Sequence, residues 1–212
     1  MSIKERSIDR RVRRTKKVLS ESLISLMMKK EFRDISITEI VDLADLNRGT
    51  FYKHYQYKED LLDEVIDDVM TDLIKSYREP YQNVDTFVVS NLSSASIKIF
   101  EHVSRHSIFY TIIVNSNVLP GFQNRICNEF KKLSKQDLTI CYPNTKINNE
   151  LLASYHAYAI LGMIIEWVQD GFKYSPSYMA DQLLEIMNHD PMKVIYKIKF
   201  NSGFDPFHLK NS

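Results

Sequence analysis

Apolar residues recur three or four positions apart along much of the chain, which is the spacing of an amphipathic helix. In residues 10–30 these positions are Val12, Leu19, Leu23, Leu26 and Met27. In residues 58–78 they are Leu61, Leu62, Val65, Ile66, Val69 and Leu73. The pattern predicts two long helices. Basic residues crowd the first half of the earlier one, and Pro80 follows the later one, where a helix can end.

Two shorter helical patterns lie between these long helices. Ser36 or Thr38 can cap the first, and Asn47 can cap the second, which begins at Arg48. Residues 44–46 leave room only for a tight turn between them. Two short helices joined in this way predict a helix-turn-helix, whose second helix enters the DNA major groove.

The rest of the chain continues the helical pattern. Further helices are predicted at about 84–105, 107–115, 119–138, 148–170 and 177–188. Gly171 is placed to cap the penultimate helix, and Ser175 with Pro176 to open the last one. Residues 194–200 alternate between apolar and polar, which predicts a short strand or extended arm. We therefore expect an all-α fold of about nine helices, with a three-helix DNA-binding domain at 1–57 and a larger helical regulatory and dimerisation domain at 58–212.

The distribution of charge supports this division. Residues 1–58 carry a net charge of +6 and the remainder −5, although the whole chain has a formal net charge of only +1. A basic segment beside an acidic body is typical of a nucleic-acid-binding module attached to a domain with another task. The charged N-terminus does not resemble a signal peptide, and no run of about 20 uninterrupted apolar residues is present. We expect a cytoplasmic protein without a membrane partner.

The stretch SITEIVDLADLNRGTFYKHYQYKEDLLDEV resembles the DNA-binding domain of the TetR family of bacterial transcriptional regulators. The residues at matching spacings are Gly49, Phe51, Tyr52, His54, Tyr55, Lys58, Leu61 and Leu62. Asp45 stands where family members commonly have glycine, and aspartate tolerates the left-handed backbone of such a turn better than most residues. The stretch WVQDGFKYSPSYMADQLLEIM more weakly resembles one C-terminal class of the same family.

The resemblance implies a set of DNA contacts. Arg48, Thr50 and Lys53 would face base edges, and Gly49 would allow backbone and DNA to approach closely. Tyr52, His54 and Lys58 would hold phosphates, as would the hydroxyl and helix N-terminus at Thr38. Phe51 and Tyr55, four residues apart, are expected in the core. The basic residues from Arg10 to Lys17 would approach the flanking DNA or remain a solvated arm.

One helix-turn-helix reads few base pairs, so the expected partner is a palindromic double-stranded DNA operator bound by a homodimer. By resemblance, the last two long helices would form the dimer interface. Its candidate residues are Leu151, Tyr155, Tyr158, Gly162, Ile165 and Leu183, some of which an intrachain core would hold in any case.

The body between residues 84 and 170 is expected to bind a small-molecule effector, whose identity the sequence leaves open. The candidate pocket residues are Phe87, His102, His106, Phe109, Tyr110, Tyr155, His156 and Trp167, and an ordinary core would use the same types. His102 and His106, four residues apart, could bind a metal, but no third ligand is evident. We therefore expect no cofactor and no metal site.

An effector would favour one of two positions of the fourth helix and so change the separation of the recognition helices. Repression released by the effector is the commoner behaviour in the family, with activation or control by a partner protein as alternatives. A helical enzyme is the competing class, but the sequence has no nucleophile motif, phosphate-binding glycine loop or HExxH motif. A helical interaction module without DNA binding is disfavoured by the intact set of Arg48, Thr50, Tyr52, Lys53 and Lys58.

Overall fold

A computed structural model describes residues 3–82, 85, 91–115, 121–137 and 146–188 of the 212-residue chain. These residues form nine α-helices and no β-strand. The helices are α1 (Ile3–Met27), α2 (Ile37–Leu43), α3 (Arg48–Tyr52), α4 (Lys58–Arg78), α5 (Ile99–Arg105), α6 (Ser107–Asn115), α7 (Phe122–Asp137), α8 (Asn149–Gln169) and α9 (Pro176–Asn188). The all-α prediction is confirmed, while the predicted strand at 194–200 lies outside the described residues.

Side-chain caps define the start of both short helices. Ser36 Oγ accepts from the Glu39 N–H, and the Glu39 carboxylate accepts from the Ser36 N–H at 3.0 Å, which together form a capping box. Asn47 Oδ1 accepts from the Thr50 N–H at 2.8 Å and caps α3. The prediction that Asn47 caps α3 is confirmed. Of the two candidates for the cap of α2, Ser36 and Thr38, the structure shows Ser36 in that role.

The turn between α2 and α3 depends on a left-handed residue. Asp45 has φ of 53°, as the family resemblance implied. The Leu46 N–H donates to Val41 O at 2.9 Å and the Asp45 N–H to Asp42 O at 3.2 Å, which is the paired arrangement of a Schellman motif. The motif satisfies two carbonyls at the end of α2 and reverses the chain toward α3.

Within the described residues, one predicted helix is shorter than expected. The sequence pattern indicated a helix at about 84–105, but within residues 91–105 only Ile99–Arg105 is α-helical, preceded by a 3₁₀ turn at Ser94–Ser96. The Ser96 hydroxyl donates to Ser93 O at 2.6 Å. Serine side chains that bond nearby backbone in this way compete with helix formation.

The hydrophobic core is continuous from the DNA-binding end to the body, and it runs from Leu19 in α1 to Leu184 in α9. Helix α4 packs on α1, α5 and α7, and α8 packs on α6 and α7. Helix α9 packs on α5, and α1 also contacts α6. Helix α4 therefore connects the helix-turn-helix directly with the body.

Helix α8 ends in a second Schellman motif. Gly171 has φ of 67°, the Phe172 N–H donates to Trp167 O at 2.9 Å, and Ser175 Oγ accepts from the Tyr178 N–H at 3.1 Å at the start of α9. The predicted roles of Gly171 and of the Ser175–Pro176 pair are confirmed. By length and composition alone, α8 is the one described helix that could cross a membrane, and a core helix of a soluble protein meets the same criterion.

Candidate DNA-binding surface

Helix α3 separates a buried side from an exposed one. Phe51 and Tyr55 are buried, with ring centroids 5.5 Å apart, as predicted. Arg48 and Lys53 are exposed, and 56% of Tyr52 is accessible to solvent. The core residues thus hold α3 in place while its polar residues face outward.

Thr38 and Arg48 lie together although they come from different helices. The Arg48 guanidinium donates to the Thr38 hydroxyl, so the start of α2 and the start of α3 share one exposed surface. A guanidinium held in this way still has other N–H donors for a phosphate or a guanine edge. Arg48, Thr38, Tyr52 and Lys53 define what we call the recognition surface.

Thr50 and Gly49 support the N-terminus of α3. Both the N–H and the hydroxyl of Thr50 donate to Asn47 Oδ1, which leaves the methyl group and the acceptor side of the hydroxyl for contact with DNA. A Cβ atom added to Gly49 would lie 3.3 Å from the same Asn47 Oδ1. Glycine at this position therefore leaves room for the cap, a reason within the chain that is separate from close approach to DNA.

Lys58 does not face the recognition surface as a free cation. Its ammonium donates to the carbonyl oxygens of Phe32 at 2.8 Å, Arg33 at 3.0 Å and Ile35 at 2.7 Å. An ammonium has three N–H donors, and these three carbonyls use all of them. In this structure Lys58 stabilises the segment between α1 and α2, so we leave it out of the contact set that the sequence suggested.

Some of the remaining basic residues are exposed, and others contact other parts of the chain. His54 is half-buried, with its ring 6.2 Å from that of Tyr55. Lys16 lies 2.6 Å from the Glu64 carboxylate and so connects α1 with α4. Arg10, Arg11 and Arg14 are exposed on α1. The basic arm of the sequence therefore consists of exposed arginines, Lys16, which joins α1 to α4, and Lys17, which is exposed.

Comparison with known proteins agrees with this geometry. Residues 22–65 match the family described as "Bacterial regulatory proteins, tetR family". Residues 90–189 match a second family, described as "Transcriptional regulator C-terminal region". The chain belongs to the TetR family.

Individual TetR-family relatives are distant. The chain is 22% identical over 173 residues to the uncharacterized HTH-type transcriptional regulator YxbF of Bacillus subtilis, which covers 80% of this chain and 44% of YxbF. It is 28% identical over 67 residues to the HTH-type dhaKLM operon transcriptional activator DhaS of Lactococcus lactis, which covers 32% of this chain and 36% of DhaS. The matches thus span less than half the length of either curated relative.

Solved TetR-family structures share the fold. A TetR transcriptional regulator from Streptococcus agalactiae superposes with a TM-score of 0.55 at 20% identity, covering 87% of this chain and 99% of that one. At this identity the similarity establishes the arrangement of helices. The residues that bind DNA or an effector have to be argued from this chain.

The predicted effector residues separate into several places. His102, His106 and Tyr110 lie together against α4. Phe109 packs edge-on against Phe122 in the core. Trp167 contacts Phe100 and Phe172, and Phe87 lies outside the described residues. The Phe109 and Tyr110 rings lie 5.8 Å apart, whereas Trp167 contacts a different pair of aromatic residues.

Asp72 of α4 is the residue that brings the two histidines together. Its Oδ2 lies 2.8 Å from His102 Nδ1 and 3.1 Å from His106 Nε2. The other ring nitrogen of His102, Nε2, lies 3.0 Å from the Tyr110 hydroxyl. We call Asp72, His102 and His106 the histidine cluster. Sequence analysis missed Asp72 because it lies 30 residues before His102.

Electrostatics favour a neutral His102 beside an ionised Asp72. Burial lowers the pKa of His102 to about 4, although the hydrogen bond to Asp72 opposes this shift. Partial burial opposes ionisation of Asp72, but hydrogen bonds from both histidines outweigh it and hold the pKa of this carboxyl below its usual value. A carboxylate only accepts, so a neutral His102 donates through Nδ1 and accepts the Tyr110 hydroxyl at Nε2.

The predicted dimer residues divide into an exposed stripe and a core residue. Leu151 is 70% exposed, Tyr155 67% and Tyr158 53%, all on α8. Gly162 is also exposed and Ile165 is half-buried. Leu183 of α9 is buried within the chain, so its side chain is not available to a partner in this structure. We call Leu151, Tyr155, Tyr158 and Gly162 the α8 stripe.

Proposed function

We propose that this protein is a sequence-specific DNA-binding transcriptional regulator. The observation that carries the proposal is the recognition surface, on which exposed Arg48, Lys53 and Tyr52 meet Thr38 over a buried Phe51 and Tyr55. Arginine and lysine bond guanine edges in the major groove, while hydroxyl groups position the protein on phosphates. Membership in a family of regulators supports this function over that of a helical enzyme.

Homodimerisation on an inverted repeat is the second part of the proposal. The α8 stripe exposes large apolar side chains in a row, a feature typical of interaction surfaces. Its members recur every three or four residues, as they do along a helix that packs on its own twin. Two recognition surfaces in one dimer would read two half-sites about 34–36 Å apart, or a multiple of one helical turn.

The effector and the sign of regulation are further proposals. We infer that a signal acts on the helical body at 58–212 and is transmitted by α4, the first helix of that body, which packs on α1 of the DNA-binding domain at 1–57. The behaviour we propose first is repression, in which binding of the effector releases the protein from its operator. We propose that it acts in the cytoplasm. Activation is the second candidate, because the relative DhaS is described as an operon activator.

Selection of bound sequences from random DNA tests the proposal. We expect recovery of an inverted repeat, with affinity that falls steeply as salt rises because lysine and arginine displace counterions from phosphates. Arg48→Ala should weaken binding by about 1–3 kcal/mol and relax the preference at one position in each half-site. Recovery of no common sequence, together with binding that does not depend on salt, would contradict it.

A reporter experiment then decides the sign of regulation. The recovered repeat is placed in a promoter and the reporter is measured with and without this protein. Lower expression in its presence supports repression, and higher expression supports activation. The Arg48→Ala variant serves as the control that should lose either effect.

A further inference from the structure

The histidine cluster has the composition of a transition-metal site. It combines two imidazoles and one carboxylate, whose ligand atoms all lie within 4.8 Å of one another. Two histidines and one carboxylate leave a position open for water or another ligand when they bind zinc. We infer that Asp72, His102 and His106 bind a divalent transition-metal ion of the zinc class.

The distances in the cluster suit such an ion. Zinc lies about 2.0–2.2 Å from nitrogen and oxygen ligands, so two ligands on a tetrahedral ion lie roughly 3.4 Å apart. Asp72 Oδ2 is 2.8 Å from His102 Nδ1 and 3.1 Å from His106 Nε2. The two carboxylate–imidazole distances would therefore have to widen by roughly 0.3–0.6 Å to admit an ion.

The surroundings of His102 support metal binding. His102 is fully buried, while the side chains of His106 and Asp72 are 31% and 28% exposed. The buried ligand is thus held firmly and the other two leave a route for the ion. The Tyr110 hydroxyl lies 3.0 Å from His102 Nε2. With an ion on Nδ1 the ring proton would move to Nε2, which would then donate to the Tyr110 hydroxyl, and a partner of this kind orients a ligating imidazole.

Arg105 is the group that competes with an ion. Its Nη1 lies 3.3 Å from Asp72 Oδ2, the same oxygen that both histidines contact. The Arg105 side chain is 58% exposed, so it can move into solvent when a cation takes its place. Arg105, His102 and His106 all contact Asp72 Oδ2. With a metal ion bound, Asp72 and the two histidines would coordinate the ion, and Arg105 would lose this contact.

A bound ion would connect α4 with α5, and in the proposed function α4 transmits the signal to the DNA-binding helices. Asp72 belongs to α4, His102 to α5, and His106 ends α5 just before α6. The ion would hold α4 against α5, and α4 begins directly after the helix-turn-helix. Regulation of DNA binding by the metal rests on the proposed function, whereas metal binding itself does not.

Metal binding is tested on the full chain without an affinity tag. Titration with zinc chloride in a calorimeter should give one ion per chain, and cobalt(II) chloride should develop the visible absorption of a four-coordinate nitrogen- and oxygen-bound ion. Zinc should also raise the melting temperature, since a ligand that binds only the folded state stabilises it. No heat, no cobalt absorption and no change in melting temperature would overturn the inference.

Variants locate the ion. Asp72→Asn and His106→Gln should each weaken zinc binding at least tenfold, while Asp67→Asn, an exposed carboxylate on the same helix, should leave it unchanged. Arg105→Gln should tighten binding, because it removes the competing cation. Equal zinc affinity in wild type, Asp72→Asn and His106→Gln would place the ion elsewhere and contradict the inference.

A separate measurement tests the regulatory step. Zinc should change the affinity for the selected operator about tenfold in wild type and not in His106→Gln, in line with typical coupling between sites. If zinc binds but operator affinity does not change, the regulatory part fails while the metal site stands. If no operator is recovered, the proposed function fails and the calorimetric result is unaffected.

Discussion

Two lysines five residues apart have different surroundings. Lys53 ends α3 on the recognition surface and is exposed, whereas the Lys58 ammonium donates to three backbone carbonyls. From the sequence both resembled DNA contacts, because a lysine side chain carries the same charge in either role. Its neighbours in space determine whether that charge meets a phosphate or the protein backbone.

The two lysines should therefore respond to substitution in opposite ways. Lys58→Met should lower the free energy of unfolding by about 2 kcal/mol, because three charged hydrogen bonds are lost, two of them partly buried. Lys53→Met should leave stability nearly unchanged and reduce the salt dependence of DNA binding by about one unit of slope. Denaturant unfolding measures the stability of each variant, and DNA titrations at several salt concentrations measure the salt dependence of binding. A stable Lys58→Met protein with a reduced salt slope would restore Lys58 as a phosphate contact.

Glu39 couples the capping of α2 to pH. A hydrogen bond from Lys30 at 2.5 Å, followed by bonds from the Ser36 N–H and hydroxyl, lowers its pKa from 4.5 to about 2. The folded protein thus binds a proton here less readily than the unfolded chain does. This stabilising contribution is complete above about pH 4.5 and is lost as the pH falls toward 2.

Glu39→Gln should flatten that part of the stability profile, since glutamine keeps the hydrogen-bonding shape of the cap without the charge. Melting temperatures between pH 6 and pH 2.5 should fall less in the variant than in wild type. Added salt should reduce the difference, because the pair of Lys30 and Glu39 is solvent-accessible. Parallel profiles at low salt would show that Glu39 is not the residue responsible.

At the scale of elements, the turn between α2 and α3 positions the recognition helix. Asp45 has φ of 53°, in the left-handed region, where an L-residue with a side chain is less stable than glycine. The neighbouring Asp42 is also exposed but lies inside α2. The two aspartates thus form a matched pair that differs in backbone conformation.

Asp45→Gly should raise the free energy of unfolding by about 0.5–1 kcal/mol, because it relieves the left-handed backbone. Asp42→Gly should lower it by about 0.5 kcal/mol, because glycine disfavours a helix interior. Denaturant unfolding of both variants measures these opposite signs. Destabilisation by both substitutions would mean that the Asp45 side chain contributes more than its backbone conformation costs.

At the scale of the whole molecule, one continuous core joins the helix-turn-helix to the body, and the α8 stripe is left exposed. Helix α8 is apolar around most of its circumference, a pattern that predicts burial on more than one side. One side packs on α6 and α7 within the chain. The proposed dimer would cover the other side.

Tyr155→Glu should therefore weaken the dimer at least 100-fold, because an unpaired carboxylate would be removed from water. Sedimentation equilibrium measures the dissociation constant, and affinity for a two-half-site operator should fall with it. Met28→Glu is the control, since Met28 is exposed at 50% just beyond the end of α1. A Tyr155→Glu protein that remains as dimeric as Met28→Glu would exclude the α8 stripe as the interface.

The sequence by itself determined the features that depend on near neighbours in the chain. Helical periodicity, the Asn47 cap and the Gly171 terminus follow from residues within about five positions, and the left-handed Asp45 was implied by the family resemblance. For the same reason the pairing of Phe51 with Tyr55 in the core could be predicted, since residues four apart share a helical face.

Only the tertiary structure decided the contacts between residues distant in the chain. Lys58 reaches carbonyls 23 to 26 residues earlier, and Asp72 meets histidines 30 and 34 residues later. Leu183 faces the core instead of a partner because of how α9 packs on α5. Such contacts arise from the packing of whole helices, and packing brings together side chains that no local pattern in the sequence relates.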